Sequence, residues 1–230
     1  MKKFLLLFLT TIYALFADAL PNGIKTTINS INNSGEIQLS TTVPKGMSGI
    51  IVHKYGNGLS AITHSAVSTG GTKVTVTNYT AIEHKNIPTI QTAAQVGDQV
   101  IFGNFYNNAL LIAPNKESYR TITKQYQRAW LHPDAYALQF MKDGETTLSL
   151  ENIHKFAELN QVGLVLIVEK SQILILDPLS QQFVGTVPYA ENNSKAISPF
   201  YARFEQMDVS TFGFSKKSSA PYYQSVAGLK

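Results

Sequence analysis

The sequence predicts an α+β protein. Its N-terminal half is expected to be an antiparallel β-barrel or sandwich, followed by helices packed on a small β-sheet and by a disordered C-terminal tail. Two observations support this prediction: short β-type runs separated by turn residues fill positions 35–114, and apolar residues recur at steps of three and four after Asn115. The predicted segments are a signal peptide over residues 1–19, a β-rich domain over 20–115, an α+β domain over 116–207 and a flexible tail over 208–230.

The N-terminal segment has the pattern of an export signal. Two lysines precede an unbroken apolar run from Phe4 to Phe16, and the small residues that follow offer cleavage after Ala17 or Ala19. The apolar run is about 13 residues long, whereas a membrane-spanning helix needs about 20. A retained anchor is therefore the weaker alternative, and we expect an exported chain without a transmembrane anchor after cleavage.

The β-rich segment is punctuated by turn signals. Asn57-Gly58 fits a tight hairpin because both central residues of a type I′ turn need positive φ, and Gly70-Gly71 is interpreted in the same way. Gly97-Asp98 begins a further strand, and Asn107-Asn108 is the next turn. The run ALLIA is then a buried strand that returns along its predecessor.

Three segments after Asn115 predict helices. The stretch KESYRTITKQYQRAW carries apolar residues at helical steps, and His132-Pro133 marks the start of a second helix because proline suits the first helical position. In SLENIHKFAELNQVG, Ser149 is the expected cap and Gly163 the expected stop. The aliphatic runs VGLVLIVEK and QILILDP, followed by QQFVGTV, predict strands of a second sheet.

The last part of the sequence loses this periodicity. A further strand is predicted between Phe200 and Phe204. The remainder, which contains FGFSKKSSAPYYQSVAGLK, mixes Ser, Lys, Tyr, Gly and Pro without a repeat and is expected to be exposed.

The composition of the chain argues against several classes of function. The formal net charge is only +4, which argues against nucleic-acid binding. The absence of cysteine excludes a disulfide framework, a thiol nucleophile and cysteine-ligated zinc. With 44% hydrophobic and 15% charged residues the chain is expected to fold around a real core.

Candidate catalytic and ligand-binding motifs are weak. Ser48 in GMSGI is flanked by glycine, but the first histidine, His53, follows it, and a turn is the favoured interpretation. The glycine-rich stretch before Lys73 leads into a strand and not into a helix, so a hairpin is favoured over a phosphate loop. The five histidines lack metal-ligand spacing; they are His53, His64, His84, His132 and His154. We therefore predict no catalytic residue, no metal site and no cofactor.

Several blocks of the sequence resemble one known family. GMSGIIVHKYGN, VGDQVIFGNFYNNALLIAPN, WLHPDAYALQF, KFAELNQVGLVLIV and ILILDPLSQQFVGTV are similar, in this order, to the N-terminal domain of the plasminogen-binding surface proteins known as PgbA. The resemblance extends over roughly Gly35 to Val187. It implies an exported bacterial protein that is not an enzyme and that captures host plasminogen.

Plasminogen capture, which the resemblance implies, makes lysines the candidate contact residues. The kringle modules of plasminogen bind lysine, and Lys230 offers an ammonium on a tail that is expected to be mobile. Lys216 and Lys217 are a second candidate contact. The alternative is a structural or assembly component of the cell envelope with no plasminogen role and with envelope proteins as partners. The expected location is the periplasm, the outer membrane or the cell surface.

Overall fold

The computed structural model describes residues 20–79, 90–192, 194–203 and 219–230. The predicted signal peptide lies outside the described residues. The α+β class is confirmed, because ten strands in two sheets are combined with four helices within the described part of the chain.

Five antiparallel strands form a closed ring. The first strand pairs with the second on one side and with the fifth on the other, which leaves the order β1-β2-β4-β3-β5 without a free edge. The strands are β1 (Ile24–Ile31), β2 (Ile37–Val43), β3 (Ser48–Gly56), β4 (Leu59–Asn78) and β5 (Gln99–Phe102).

The hairpin predicted at Asn57-Gly58 joins β3 to β4. Asn57 has φ 50° and Gly58 has φ 79°, both in the left-handed region that a type I′ turn requires. Strand pairing continues directly beside the turn, where Gly56 is opposite Leu59.

The hairpin predicted at Gly70-Gly71 is wrong, because β4 continues through both glycines. Residues up to Val67 pair with β3, whereas Gly71 and the residues after it pair with β2. The two glycines have φ 104° and 64°, so they bend the strand at the point where it changes partners.

A second, five-stranded sheet lies beside the ring. Its order is β10-β9-β8-β6-β7, with β6 parallel to both β7 and β8 and the remaining pairs antiparallel. Its strands are β6 (Asn108–Ile112), β7 (Ala129–Leu131), β8 (Leu164–Val168), β9 (Gln172–Asp177) and β10 (Gln182–Pro188). The strands predicted in VGLVLIVEK, QILILDP and QQFVGTV are thus confirmed.

The run ALLIA does not return along β5 as predicted. It forms most of β6, which is parallel to both of its neighbours and buried on both faces. Near-continuous aliphatic residues suit such a central strand, because neither of its faces meets water.

Helices cover the two faces of the second sheet. The face that carries Ala109 and Leu111 packs on the ring and on α1 (Lys116–Gln125). The opposite face packs on α2 (Pro133–Lys142), α3 (Leu150–Asn160) and α4 (Tyr222–Ala227). The second sheet therefore forms the middle layer. No helix among the described residues is long and apolar enough to cross a membrane.

The starts of α2 and α3 were predicted correctly, but the end of α3 was not. His132 caps α2 with Pro133 at its first position, and Ser149 caps α3 by accepting a hydrogen bond from Asn152 N. The left-handed residue that ends α3 is Gln161, with φ 54°, and not Gly163. Gly163 lies instead against the backbone of Phe105.

Two further expectations fail because of tertiary packing. Trp130 is in β7 and not at a helical step, since α1 ends at Gln125. Residues 200–203 form no strand, although Tyr201 N donates to Ala113 O beyond the end of β6 at 2.8 Å. Residue 204, the last of that predicted strand, lies outside the described residues.

The described part of the predicted flexible tail, residues 219–230, contains a helix. Residues 208–218 lie outside the described residues, but α4 is regular and places Tyr222 and Val226 in the core. Both side chains are almost fully buried, at 1% and 2% exposure. Only two or three apolar residues of this segment pack against the aliphatic sheet. So short a stripe shows no periodicity in the sequence, and the helix was therefore not predicted.

Candidate functional site

Helix α4 is anchored to the second sheet by Tyr222. Its hydroxyl lies 3.0 Å from Ile112 O and 2.7 Å from Val168 O, at the ends of two adjacent strands. Leu229, just beyond the helix, is also buried. The residues that lead to Lys230 are therefore held against the sheet.

The predicted contact residue Lys230 is paired with an acidic residue. Its ammonium lies 2.7 Å from Glu169 Oε1, and Gln172 Nε2 donates to the other oxygen of the same carboxylate at 2.6 Å. Burial raises the pKa of Glu169, but the hydrogen bonds from Lys230 and Gln172 outweigh it and hold this pKa below its usual value. Lys230 is half exposed, with 50% of its side chain accessible. A partner can reach its ammonium but has to compete with Glu169.

A shallow depression of about 290 Å³ adjoins this ion pair and shares Glu169 with it. The Lys170 ammonium lies 5.4 Å from the centre of the Tyr223 ring, within range of a cation–π interaction. The Tyr223 hydroxyl donates to Glu191 Oε1 at 2.7 Å. Burial, followed by this contact with Glu191, raises the pKa of Tyr223. This surface therefore combines ammonium groups, carboxylates and an aromatic ring.

Lys216 and Lys217, the second predicted contact, lie outside the described residues.

A buried carboxylate connects the ring to the second sheet. Asp177, the last residue of β9, is fully buried, and its Oδ2 accepts hydrogen bonds of 2.7 Å from Ser48 N, Ser48 Oγ and the Tyr106 hydroxyl. Its Oδ1 accepts from the backbone of Leu179 and Ser180. Burial and the nearby carboxylate raise the pKa of Tyr106, which therefore remains a donor.

Ser48 has a structural role in this arrangement. Its hydroxyl donates to a carboxylate that accepts four other hydrogen bonds, and both side chains are buried. In the sequence, Asp177 stands at the end of the aliphatic run QILILDP, directly before Pro178. No local signal could reveal its function as a link between the sheets, because Ser48 is 129 positions away in the chain.

The described histidines do not gather at one metal site. Within the described residues, no three histidine or acidic side chains are grouped so that they could hold a metal ion. Each described histidine has its own neighbour instead: His53 with Asp98, His64 with Thr63, His132 with Asp134, and His154 with the carbonyl of Pro178. Burial lowers the pKa of His64. His84 lies outside the described residues.

One polar cluster lies beyond the carboxyl ends of the parallel strands β6 and β7. Arg203 donates to Asp134 through Nε at 2.6 Å and through its backbone N–H at 2.8 Å. Burial raises the pKa of Asp134, but the contacts with Arg203 outweigh it and lower this pKa below its usual value. The rings of Tyr119, His132 and Tyr201 pack together beside this pair. These contacts attach residues 200–203 to the second sheet.

Fold and site together define an α+β scaffold whose accessible lysines and carboxylates are presented on its surface. Residues 23–227 match the family described as plasminogen-binding protein PgbA, N-terminal. The chain belongs to this family, as its sequence blocks indicate.

Two curated relatives carry the name plasminogen-binding protein PgbA. They come from Helicobacter pylori strains ATCC 700392 / 26695 and J99 / ATCC 700824, and each is 27% identical to this chain over 161 residues. The match covers 69% of this chain and 35% of each relative, so it extends over about a third of the relatives' length. No solved structure shows significant similarity to this chain.

Proposed function

We propose that this protein is an exported bacterial surface protein that binds host plasminogen. The family match over residues 23–227 is the observation that supports this proposal most directly. The two lysines and the apolar run at the N-terminus support export. Binding through surface lysines fits the scaffold, because it needs accessible ammonium groups and no enclosed cavity.

Lys230 is the proposed contact for a lysine-binding kringle. Its ammonium is half exposed and lies beside the depression that contains Tyr223 and Lys170. Glu169 then competes with the kringle carboxylates, because both bind the Lys230 ammonium. Removal of the competing charge should strengthen plasminogen binding, whereas removal of the lysine should weaken it.

The test is plasminogen binding by the purified chain and three variants. We expect Lys230→Gln to weaken binding about tenfold, which corresponds to about 1.4 kcal/mol, and Glu169→Gln to strengthen it. Lys155→Gln is the matched control, because Lys155 is also a surface lysine paired with a glutamate, with 57% of its side chain exposed. Unchanged binding by Lys230→Gln would remove Lys230 from the proposal.

Lys216 and Lys217 are the second proposed contact. The double variant Lys216→Gln, Lys217→Gln belongs in the same assay. A loss that is larger than that of Lys230→Gln would place the main contact at this pair.

The proposed surface location needs a separate measurement. Protease added to intact cells should digest the protein while a periplasmic marker survives. Digestion that occurs only after the outer membrane has been opened would contradict surface exposure and would favour the role of an envelope assembly component.

A further inference from the structure

Helix α1 carries a row of three basic residues on its outer face. Lys116, Arg120 and Lys124 follow one another at intervals of four residues, and all three are exposed. Four residues advance a helix by about 6 Å and bring the next side chain to nearly the same face. The opposite face is buried through Ser118 and Ile122. The three cations therefore form one row that is inclined to the helix axis, which we call the α1 basic row.

The cations of this row have no acidic partner among the described residues. Other basic residues of the chain do, since Lys230 pairs with Glu169 and Lys155 pairs with Glu151. Helix α1 contains a single acidic residue, Glu117, in its first turn. The positive charge of the row is thus available to an external partner.

The backbone beneath the row is held in place. Asn115 caps the helix by accepting hydrogen bonds from both the backbone and the hydroxyl of Ser118. Asn192 Nδ2 donates to the Asn115 side chain at 3.2 Å and to Ser118 Oγ at 2.9 Å, which ties the start of the helix to residues beyond β10. A partner that binds the row has to order only side chains, which costs less conformational entropy than ordering a flexible segment.

We propose that the α1 basic row is a plasminogen-binding surface, separate from Lys230, whose side chains enter acidic lysine-binding pockets of the kringles. This inference rests on the proposed function, because plasminogen is its partner. Complementary charge is the reason for this choice: a pocket that binds lysine presents carboxylates to an ammonium, and the row offers two ammonium groups and one guanidinium without a competing acid. At Lys230, in contrast, the ammonium already forms an ion pair with Glu169.

A membrane surface is the less favoured partner for this row. Helices that bind at a lipid interface place apolar residues into the bilayer beside their basic residues. The apolar face of α1 is already buried against the second sheet, where Ile122 is only 1% exposed. The α1 basic row would therefore bind anionic lipid through charge alone, without inserting apolar side chains.

The experiment compares two triple variants of the full chain. One removes the row, as Lys116→Gln, Arg120→Gln and Lys124→Gln. The control removes three exposed lysines of the ring, as Lys25→Gln, Lys54→Gln and Lys73→Gln, and so changes the net charge equally. All six positions are exposed. Circular dichroism and the melting temperature serve to check that both variants are folded.

We expect the row variant to bind immobilised plasminogen at least about tenfold more weakly, while the ring variant stays within about threefold of the original chain. A lysine analogue should displace the original chain, and it should also displace the binding that persists in Lys230→Gln. Equal losses in both triple variants would reveal a nonspecific effect of charge and would overturn the inference.

Two further outcomes separate this inference from the proposed function. If the original chain binds plasminogen and the row variant binds equally well, only the inference fails. If the original chain does not bind plasminogen at all, the proposed function fails, and the inference fails with it. Row-dependent binding to vesicles of phosphatidylglycerol and phosphatidylcholine, with plasminogen binding unchanged, would assign the row to a lipid surface and overturn the inference.

Discussion

The Tyr106 hydroxyl donates a hydrogen bond of 2.7 Å to the Asp177 carboxylate, although the two residues are 71 positions apart. Tyr106 lies between β5 of the ring and β6 of the second sheet, and Asp177 ends β9. The same carboxylate oxygen accepts from Ser48 at the start of β3. One buried charge therefore connects strands of both sheets.

Replacement of Tyr106 by phenylalanine should destabilise the fold. The change removes one hydrogen bond to a buried carboxylate, and such bonds contribute about 1.5–3 kcal/mol. Urea denaturation measures the loss in free energy of unfolding. Tyr55→Phe is the control, because Tyr55 is 48% exposed and its hydroxyl bonds Thr92 at the surface. If the Tyr106 variant were as stable as this control, the Tyr106–Asp177 hydrogen bond would contribute little to the free energy of unfolding.

Replacement of Gly163 by alanine should also destabilise the fold, for a steric reason. A Cβ at this position would lie 2.3 Å from the carbonyl carbon of Phe105, and backbone cannot move aside as a flexible side chain can. We expect a loss of about 1–3 kcal/mol, typical of overpacking, measured as a lower melting temperature. Gly185→Ala is the matched control, because its added Cβ would meet Ile175 at 3.5 Å, an ordinary contact. Similar melting temperatures for the two variants would contradict the close approach.

The Asp134–Arg203 ion pair should make stability depend on pH in the acid range. The pKa of Asp134 is lower in the folded chain than in the unfolded chain, so the unfolded state binds a proton first. The stabilisation is complete above the ordinary carboxyl pKa and is lost as the pH falls through the lowered value.

The variant Asp134→Asn isolates this contribution. Because 67% of the Arg203 side chain is exposed, water screens the pair, and we expect a loss of only about 1 kcal/mol at pH 7. The difference from the original chain should shrink in melting curves recorded at decreasing pH below the usual carboxyl range. Glu151→Gln, at a carboxylate that is 76% exposed, should show almost no difference at any pH. A gap for Asp134→Asn that stays constant with pH would refute the assignment.

Replacement of Tyr222 by phenylalanine should loosen helix α4. The Tyr222 hydroxyl reaches the carbonyls of Ile112 and Val168, and a lost hydrogen bond of this kind costs about 1 kcal/mol. We expect faster amide exchange in residues 222–229 and faster acylation of the Lys230 ammonium. Tyr223→Phe, which loses only an exposed bond to Glu191, should leave amide exchange unchanged. Equal exchange in both variants would show that the hydroxyl of Tyr222 does not hold the helix.

Local chemistry allowed several elements to be predicted from the sequence. Asn57-Gly58 specifies its turn because both residues tolerate positive φ. Ser149 specifies a helix start because its hydroxyl satisfies a free backbone donor, and His132-Pro133 does so because proline suits the first turn. In each case the interacting atoms lie within a few residues of each other.

The elements that the sequence did not reveal depend on distant parts of the chain. Gly70 and Gly71 have the composition of a turn, but β2 and β3 pair with the two halves of β4 and keep it continuous. ALLIA is aliphatic in either interpretation, and only its parallel pairing with β7 and β8 makes it a central strand. Lys230 forms its ion pair with Glu169, which is distant in the sequence. No local pattern could therefore predict this pair.

The position of α4 affects how fragments of this protein should be interpreted. Tyr222, Val226 and Leu229 cover aliphatic residues of the second sheet, among them Leu110 and Ile112. A fragment that stops before residue 219 would leave that surface open to water and would favour self-association. If such a fragment failed to bind plasminogen as proposed, misfolding would explain the failure as readily as the missing lysine, whereas a single substitution at Lys230 leaves α4 in place on the sheet.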